Sequence, residues 1–308
     1  MLMAPLYIPV FEKENEYMKV AVVTDSNSGM TQQDAEQAGI FLLPMPVIIE
    51  EETCYEGKNL TQEKFYASLT GNMHVTTSQP SPGELEELWN GILDQGYDQI
   101  VHIPMSSGLS NSCATAISLA EEYEGRVFVA DNHRISVTLK ESVFDALAMV
   151  KAGYTGEQIK KVLEEEAYRA SIYVAVDTLE YLKKGGRITA AGVALGTMLH
   201  IKPILSIQGD KLDAYEKVRG MKKCRAEMIK AMHNDLQTRF SSYDKKSIQI
   251  LTAGSDLSEK EIEEWKTAVS EAFPGMDVYY DPLPFSIVCH TGPGAMGIGC
   301  IIRNELRV

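Results

Sequence analysis

The chain has 308 residues, 44% of them hydrophobic and 23% charged, ordinary usage for a globular protein long enough for two domains. Its formal charge of −14, from 29 Lys and Arg against 43 Asp and Glu, repels nucleic acid and anionic membrane surfaces and suits small molecules or a basic protein partner. No apolar run is long enough to span a bilayer, and the scattered Cys54, Cys113, Cys224, Cys289 and Cys300 lack zinc or redox spacing, which points to free buried thiols in a reducing cytoplasm.

Residues 1–17, MLMAPLYIPVFEKENEY, lack the basic start of a signal peptide and are interrupted twice by proline. They read as an extension on a compact protein that starts at Met18. KVAVV, Lys19 to Val23, is apolar on both faces, as a buried parallel strand is, and TDSNSGMTQQDAEQAG supplies a polar turn and then a helix. The pattern returns when QIVHIPM leads into SSGLSNSCATAISLAEEYEG, and RVFVAD is a further strand before a helix near Lys140 to Ala152. Alternating β and α signals predict a parallel sheet with flanking helices over residues 18–170, with ligands beyond the carboxyl ends of its strands. Thr24-Asp25-Ser26 and Ser106 to Ser110 stand at such ends.

After the amphipathic helix in TGEQIKKVLEEEAYRA the texture changes, and a second domain, residues 171–308, is expected to begin near Ser171. SIYVAVD is strand-like, TLEYLKKGG is a short helix closed by glycine, and PILSIQGDKLDAYEKV is a hairpin around Gly209-Asp210. Two long helices follow, near Met221 to Phe240 and Ser258 to Phe273, with the strand SIQILTAG between them. SIVCHTGPGAMGIGCIIR reads as two strands around a glycine-rich turn. This half is predicted to be α+β with a sheet at least partly antiparallel.

Polar constellations stand out against this frame. HVTTSQPSPGEL packs four hydroxyls, Thr76, Thr77, Ser78 and Ser81, into six residues before proline and glycine stop it. Hydroxyls attack a substrate only when a base activates them, but they hold an anion without one. Ser110 opens a helix N-terminus, and two readings stand: a simple cap, or an anion site using free N–H groups and the helix dipole. His290 precedes a glycine-rich turn containing Gly294. Arg187 in KKGGRI is either a solvated residue after a helix cap or a partner for a carboxylate. No G-x-S-x-G elbow, phosphate-binding loop or protein-kinase signature is present, and the histidines and cysteines lack metal spacing. From the residues alone the chain is a two-domain α/β protein with a hydroxyl-rich anion site, and no cofactor is implied.

Together VTDSNSGM, TTSQPSPGEL, SSGLSNS, LEYLKKGGRI, LHIKPILSIQGDKL, KVRGMKKC and HTGPGAMGIG, in this order between Lys19 and Arg303, resemble the DegV family of bacterial fatty-acid-binding proteins, which includes the lipid-carrying subunits of fatty acid kinase. The chain departs from the family at Ser110-Asn111-Ser112-Cys113, where serine, glycine, threonine, tyrosine is common, and at Asp131-Asn132, where Asp-Ser is common. The resemblance implies a Rossmann-like N-terminal domain joined to a smaller α+β domain, with one long-chain fatty acid in a buried tunnel. It implies Thr77 and Ser110 as carboxylate ligands, Ser78 close by, His290 as a third donor, and Ser26, Arg187 and Gly294 as secondary candidates. A separate kinase would act on the bound acid. The basic run Lys217, Arg219, Lys222 and Lys223 is either a solvated turn or that partner's docking patch. The competing expectation is an acyl ester hydrolase in which Ser110 or Ser78 is the nucleophile and His290 its base.

Overall fold

The computed structural model describes residues 18–194, 201–209 and 211–308. The expected extension at residues 1–17 and Asp210 of the hairpin lie outside the described residues. The first part of the chain forms β1 (Val20–Asp25), α1 (Gln32–Ala38), β2 (Phe41–Leu43), β3 (Val47–Ile49), β4 (Glu52–Cys54), α2 (Gln62–Thr70), β5 (Val75–Thr77), α3 (Pro82–Asp94), β6 (Gln99–Ile103), α4 (Ser112–Ala120), β7 (Val127–Val129), α5 (Val137–Lys151) and α6 (Gly156–Glu165). Next come β8 (Ala170–Ala175), α7 (Glu180–Gly185), α8 (Ala190–Ala194), β9 (Ile201–Ile207), β10 (Asp213–Arg219), α9 (Met221–Gln237), β11 (Ile248–Gly254), α10 (Glu259–Ala272), β12 (Val278–Pro282), α11 (Phe285–Thr291) and β13 (Met296–Ile302).

The fold is α/β. One sheet has the order β2-β1-β6-β7 and is parallel throughout. Every residue of β1 is buried, which is why its sequence lacks alternation: helices cover both faces. Trp89, Ile92, Cys113 and Ala116 of α3 and α4 fill one face, while α5 and α6 pack on the other. The strand order reverses at β1, so the carboxyl ends of β1 and β6 flank a switch point, where open α/β sheets bind ligands.

The second sheet, β10-β9-β8-β13-β11-β12, is antiparallel except for its β11–β12 pair. Its residues alternate between two apolar clusters. Tyr173, Ile250 and Ile298 face α9 and α10 with Trp265 and Met228, whereas Val174, Leu251 and Ala253 face Leu139 and Val143 of α5. Helix α5 therefore packs against both sheets, and one apolar cluster runs from Val20 to Ile301.

Two local readings are corrected. SIVCH is not a strand but the body of α11, which follows Pro284 and ends at Gly292 with φ 75°. Its residues 285 to 289 are all buried, and a short run buried all round has no period to separate helix from strand. Ser110 stands one residue before the N-cap rather than at it: α4 has Asn111 at its N-cap with no capping side-chain bond, and it is Ser110 Oγ that accepts the Ser112 N–H, at 3.1 Å. The antiparallel sheet β4-β3-β5 is an addition, since strands of three residues are too short to show a period.

Candidate functional site

A cavity of about 390 Å³ extends from the switch point of the parallel sheet to the α5-facing side of the second sheet. One end is polar, and α11, β5, the β6–α4 loop and the segment after α7 build it. Thr77 closes β5, where its pairing with Val47 fixes the backbone. The prolines beyond then redirect the chain, with Ser81 and Glu84 forming a capping box on α3. The hydroxyl-rich stretch thus divides: Thr77 and Ser78 line the cavity, whereas Ser81 is a cap.

Thr77 Oγ1 lies 2.8 Å from Nε2 of His290, on the last turn of α11. The other ring nitrogen, Nδ1, is buried without a hydrogen-bond partner. The ring packs so closely on α7 that a Cβ at Gly185 would sit 2.1 Å from Nδ1. The two glycines of KKGG therefore do different work. Gly185 makes room for the imidazole, and Gly186, at φ 69°, ends α7 in the left-handed conformation. Burial, with the Arg187 charge adding to it, lowers the His290 pKa to about 4, so the ring is neutral at pH 7.

Arg187 is the one charged side chain among the described residues of the cavity wall. Its guanidinium donates to the Leu109 carbonyl at 3.2 Å and to the Gly185 carbonyl, and no carboxylate pairs with it among the described residues. Ser110 and Asn111 bring the amino end of α4 to the same wall. An overall acidic protein thus has a locally positive cavity end. Ser78 and Asn111 line the cavity and are also exposed, so this end opens to solvent. The Ser78 hydroxyl donates to the Gln79 carbonyl at 3.0 Å.

The remainder of the wall is mainly aliphatic, with Val137, Ile172, Val174, Ile207, Leu212 and Ile287 prominent. The structure thus brings Thr77, Ser78, Ser110, Arg187 and His290 to one cavity, but Ser26 and Gly294 do not line it. Ser26 Oγ accepts the Met45 N–H at 3.0 Å. Gly294 holds a turn at φ 75°, where its N–H donates to Ser255. Arg219, Lys222 and Lys223 are exposed at the junction of β10 and α9, away from the wall.

Sequence reasoning did not single out Gly185, Asn27 or Ser286. Asn27 accepts the Ser286 hydroxyl at 2.7 Å, tying α11 to the turn after β1. Asp25 braces that turn by accepting the Met105 and Asn27 N–H groups at 2.8 and 2.9 Å, while burial raises its pKa to about 6. Thr24-Asp25-Ser26 was legible as a strand end, but the partners of the turn that follows it lie far along the chain.

Known proteins share this sequence pattern and fold. The model of the DegV family, described as uncharacterised proteins, matches residues 19–303. The chain belongs to the DegV family. A DegV domain-containing protein of Listeria monocytogenes is 32% identical over 291 residues, covering 92% of this chain and 99% of the relative. Another from Deinococcus radiodurans is 30% identical over 291 residues, covering 91% and 98%. The structure of a DegV family protein from Thermus thermophilus, reported for its fatty acid binding, matches with TM-score 0.83 at 28% identity, covering 92% of this chain and all of that one. DegV of Bacillus subtilis, described as a fatty acid binding protein, matches with TM-score 0.78 at 29% identity, covering 93% and 100%. Of the seven DegV-like motifs, every one except KVRGMKKC contributes to the cavity wall.

Proposed function

We propose that this DegV protein is a cytoplasmic carrier that binds one long-chain fatty acid in the cavity, with its carboxylate at the Thr77, Ser78, Ser110 and His290 end. The observation that carries the reading is a cavity with a solvent-open polar end, one cation without a carboxylate partner among the described residues, and a mainly aliphatic wall. The fatty-acid-binding descriptions of the Thermus thermophilus and Bacillus subtilis relatives support the same ligand class. At about 0.8 kcal/mol per buried methylene, the tail supplies most of the binding free energy, and the head group fixes orientation and selects for an acid. A neutral His290 has one ring N–H. With Nδ1 against a glycine and no acceptor, the proton belongs on Nε2, because a buried unpaired N–H costs more than an unpaired ring acceptor. That ring N–H then donates to Thr77 Oγ1, which leaves the threonine hydroxyl proton free for the carboxylate.

The same atoms argue against acyl hydrolysis. His290 meets Thr77 rather than Ser78 or Ser110, its second nitrogen has no orienting carboxylate, and a pKa of about 4 makes it a weak base at pH 7. A solvent-open head group suits presentation of the acid to a separate kinase, with Arg219, Lys222 and Lys223 as that partner's docking patch.

Titrating a fluorescent long-chain fatty acid into Thr77→Ala and Ser110→Ala tests the head-group assignment. Each variant should lose about 1 to 3 kcal/mol of affinity while unfolding like the parent, the scale for a hydrogen bond to a charged group. Affinities equal to that of the parent protein in both variants would overturn the assignment.

A further inference from the structure

Strand β13 of the second sheet carries two glycines where strands of its kind carry β-branched residues. Gly297 and Gly299 alternate with Ile298 along β13, and both line the cavity. Register fixes their neighbours: Gly297 lies between Val174 of β8 and Ala253 of β11, and Gly299 between Ile172 and Leu251. The glycines therefore form a furrow in the α5-facing side of the sheet, bounded along β8 by Ile172 and Val174. No turn requires them, since neither has a positive φ. A glycine inside a strand also weakens it, and such a residue often marks close approach by a ligand or another backbone.

What a side chain would meet there separates a packing role from a ligand role. A Cβ at Gly299 would touch Ser171 O at 3.4 Å, the Thr138 methyl of α5 at 3.5 Å and Ile172 at 3.6 Å, all ordinary contacts. The fold itself thus tolerates alanine at 299. A Cβ at Gly297 would come within 3.3 Å of Tyr173 O, which is tighter. At Gly299 a Cβ would rest in ordinary contact with α5 and β8, so packing within the protein does not demand glycine at this point of the cavity wall.

We infer that Gly297 and Gly299 form the floor on which the acyl tail lies, and that Gly299, opposite Thr138, sets the upper limit of chain length. This inference rests on the fatty-acid reading of the cavity. The test measures binding of delipidated parent protein, Gly299→Ala and Gly299→Val to saturated acids of 12 and 18 carbons, with thermal unfolding of each ligand-free protein. For Gly299→Val the preference for the 18-carbon over the 12-carbon acid should fall at least tenfold, with 12-carbon binding within about threefold of the parent. Gly299→Ala should shift the preference in the same direction by a smaller factor, while its ligand-free melting temperature stays level or rises. An unchanged preference in Gly299→Ala, or equal loss of both acids in that variant, would overturn the inference even if the valine variant does not fold. Failure of the parent protein to bind either acid would instead refute the fatty-acid reading.

Discussion

His290 illustrates how a single residue acquires its properties from groups far away in sequence. Its type and its place before a glycine-rich turn were legible in the chain, and so was the hydroxyl cluster containing Thr77. The 2.8 Å contact between them, the unpartnered Nδ1 and the proximity of Arg187 were not, because each depends on packing between separate elements. The lowered pKa has a stability consequence. With a folded value of about 4 against an ordinary 6.5, the unfolded chain takes up the proton first, so this contribution is full above about pH 6.5, falls as pH decreases, and levels off below about pH 4. The drop is up to about 3 kcal/mol. His102, lowered to about 3 by burial, acts in the same direction, while Asp25, raised to about 6, acts oppositely between pH 6 and 3.8. The comparison of urea unfolding in the parent protein and His290→Gln cancels both. Stability of the parent relative to the variant should decline between pH 6.5 and 4; a pH-independent difference would contradict a neutral buried ring.

Among the elements, those with clear periodicity or strong punctuation were readable. The parallel strands, the β9–β10 hairpin, and α9, α10 and the glycine-capped α7 all follow from such signals. Helix α11 was not readable, because Phe285 to Cys289 are buried on every side and proline and glycine bracket them as they would a strand. The consequence for function is direct, since α11 and α7 pack together and Gly185 is where the imidazole enters that contact. Gly185→Ala should therefore be informative. Alanine favours the helix by about 1 kcal/mol on intrinsic propensity, yet its Cβ would overlap the His290 ring. Fatty acid affinity should fall at least as far as in Thr77→Ala, with circular dichroism unchanged. Parent-like affinity would show that the α7–α11 spacing does not position His290.

At the scale of the whole molecule, the order of β and α signals conveyed a parallel sheet followed by a mixed one, and the seven motifs conveyed the DegV family. The placement of α5 against both sheets, which positions the cavity, was not conveyed, because it depends on how two separately readable halves pack. KVRGMKKC is the one motif of the seven with no described residue in the cavity wall; its Lys217, Arg219, Lys222 and Lys223 are exposed, whereas Val218 and Cys224 are buried. Charge reversal of Arg219 and Lys222 to glutamate should slow kinase-dependent acyl phosphate formation, most strongly at low salt, while fatty acid binding is retained. Unchanged turnover at low salt would remove the docking role.

Native mass spectrometry of the protein as purified from bacterial cells reads out whether the cavity holds one fatty acid. The expected result is a single mass increment that denaturation releases as a long-chain fatty acid, lost on delipidation and restored by added palmitate or oleate. A chain that carries no lipid and takes up neither acid would contradict it.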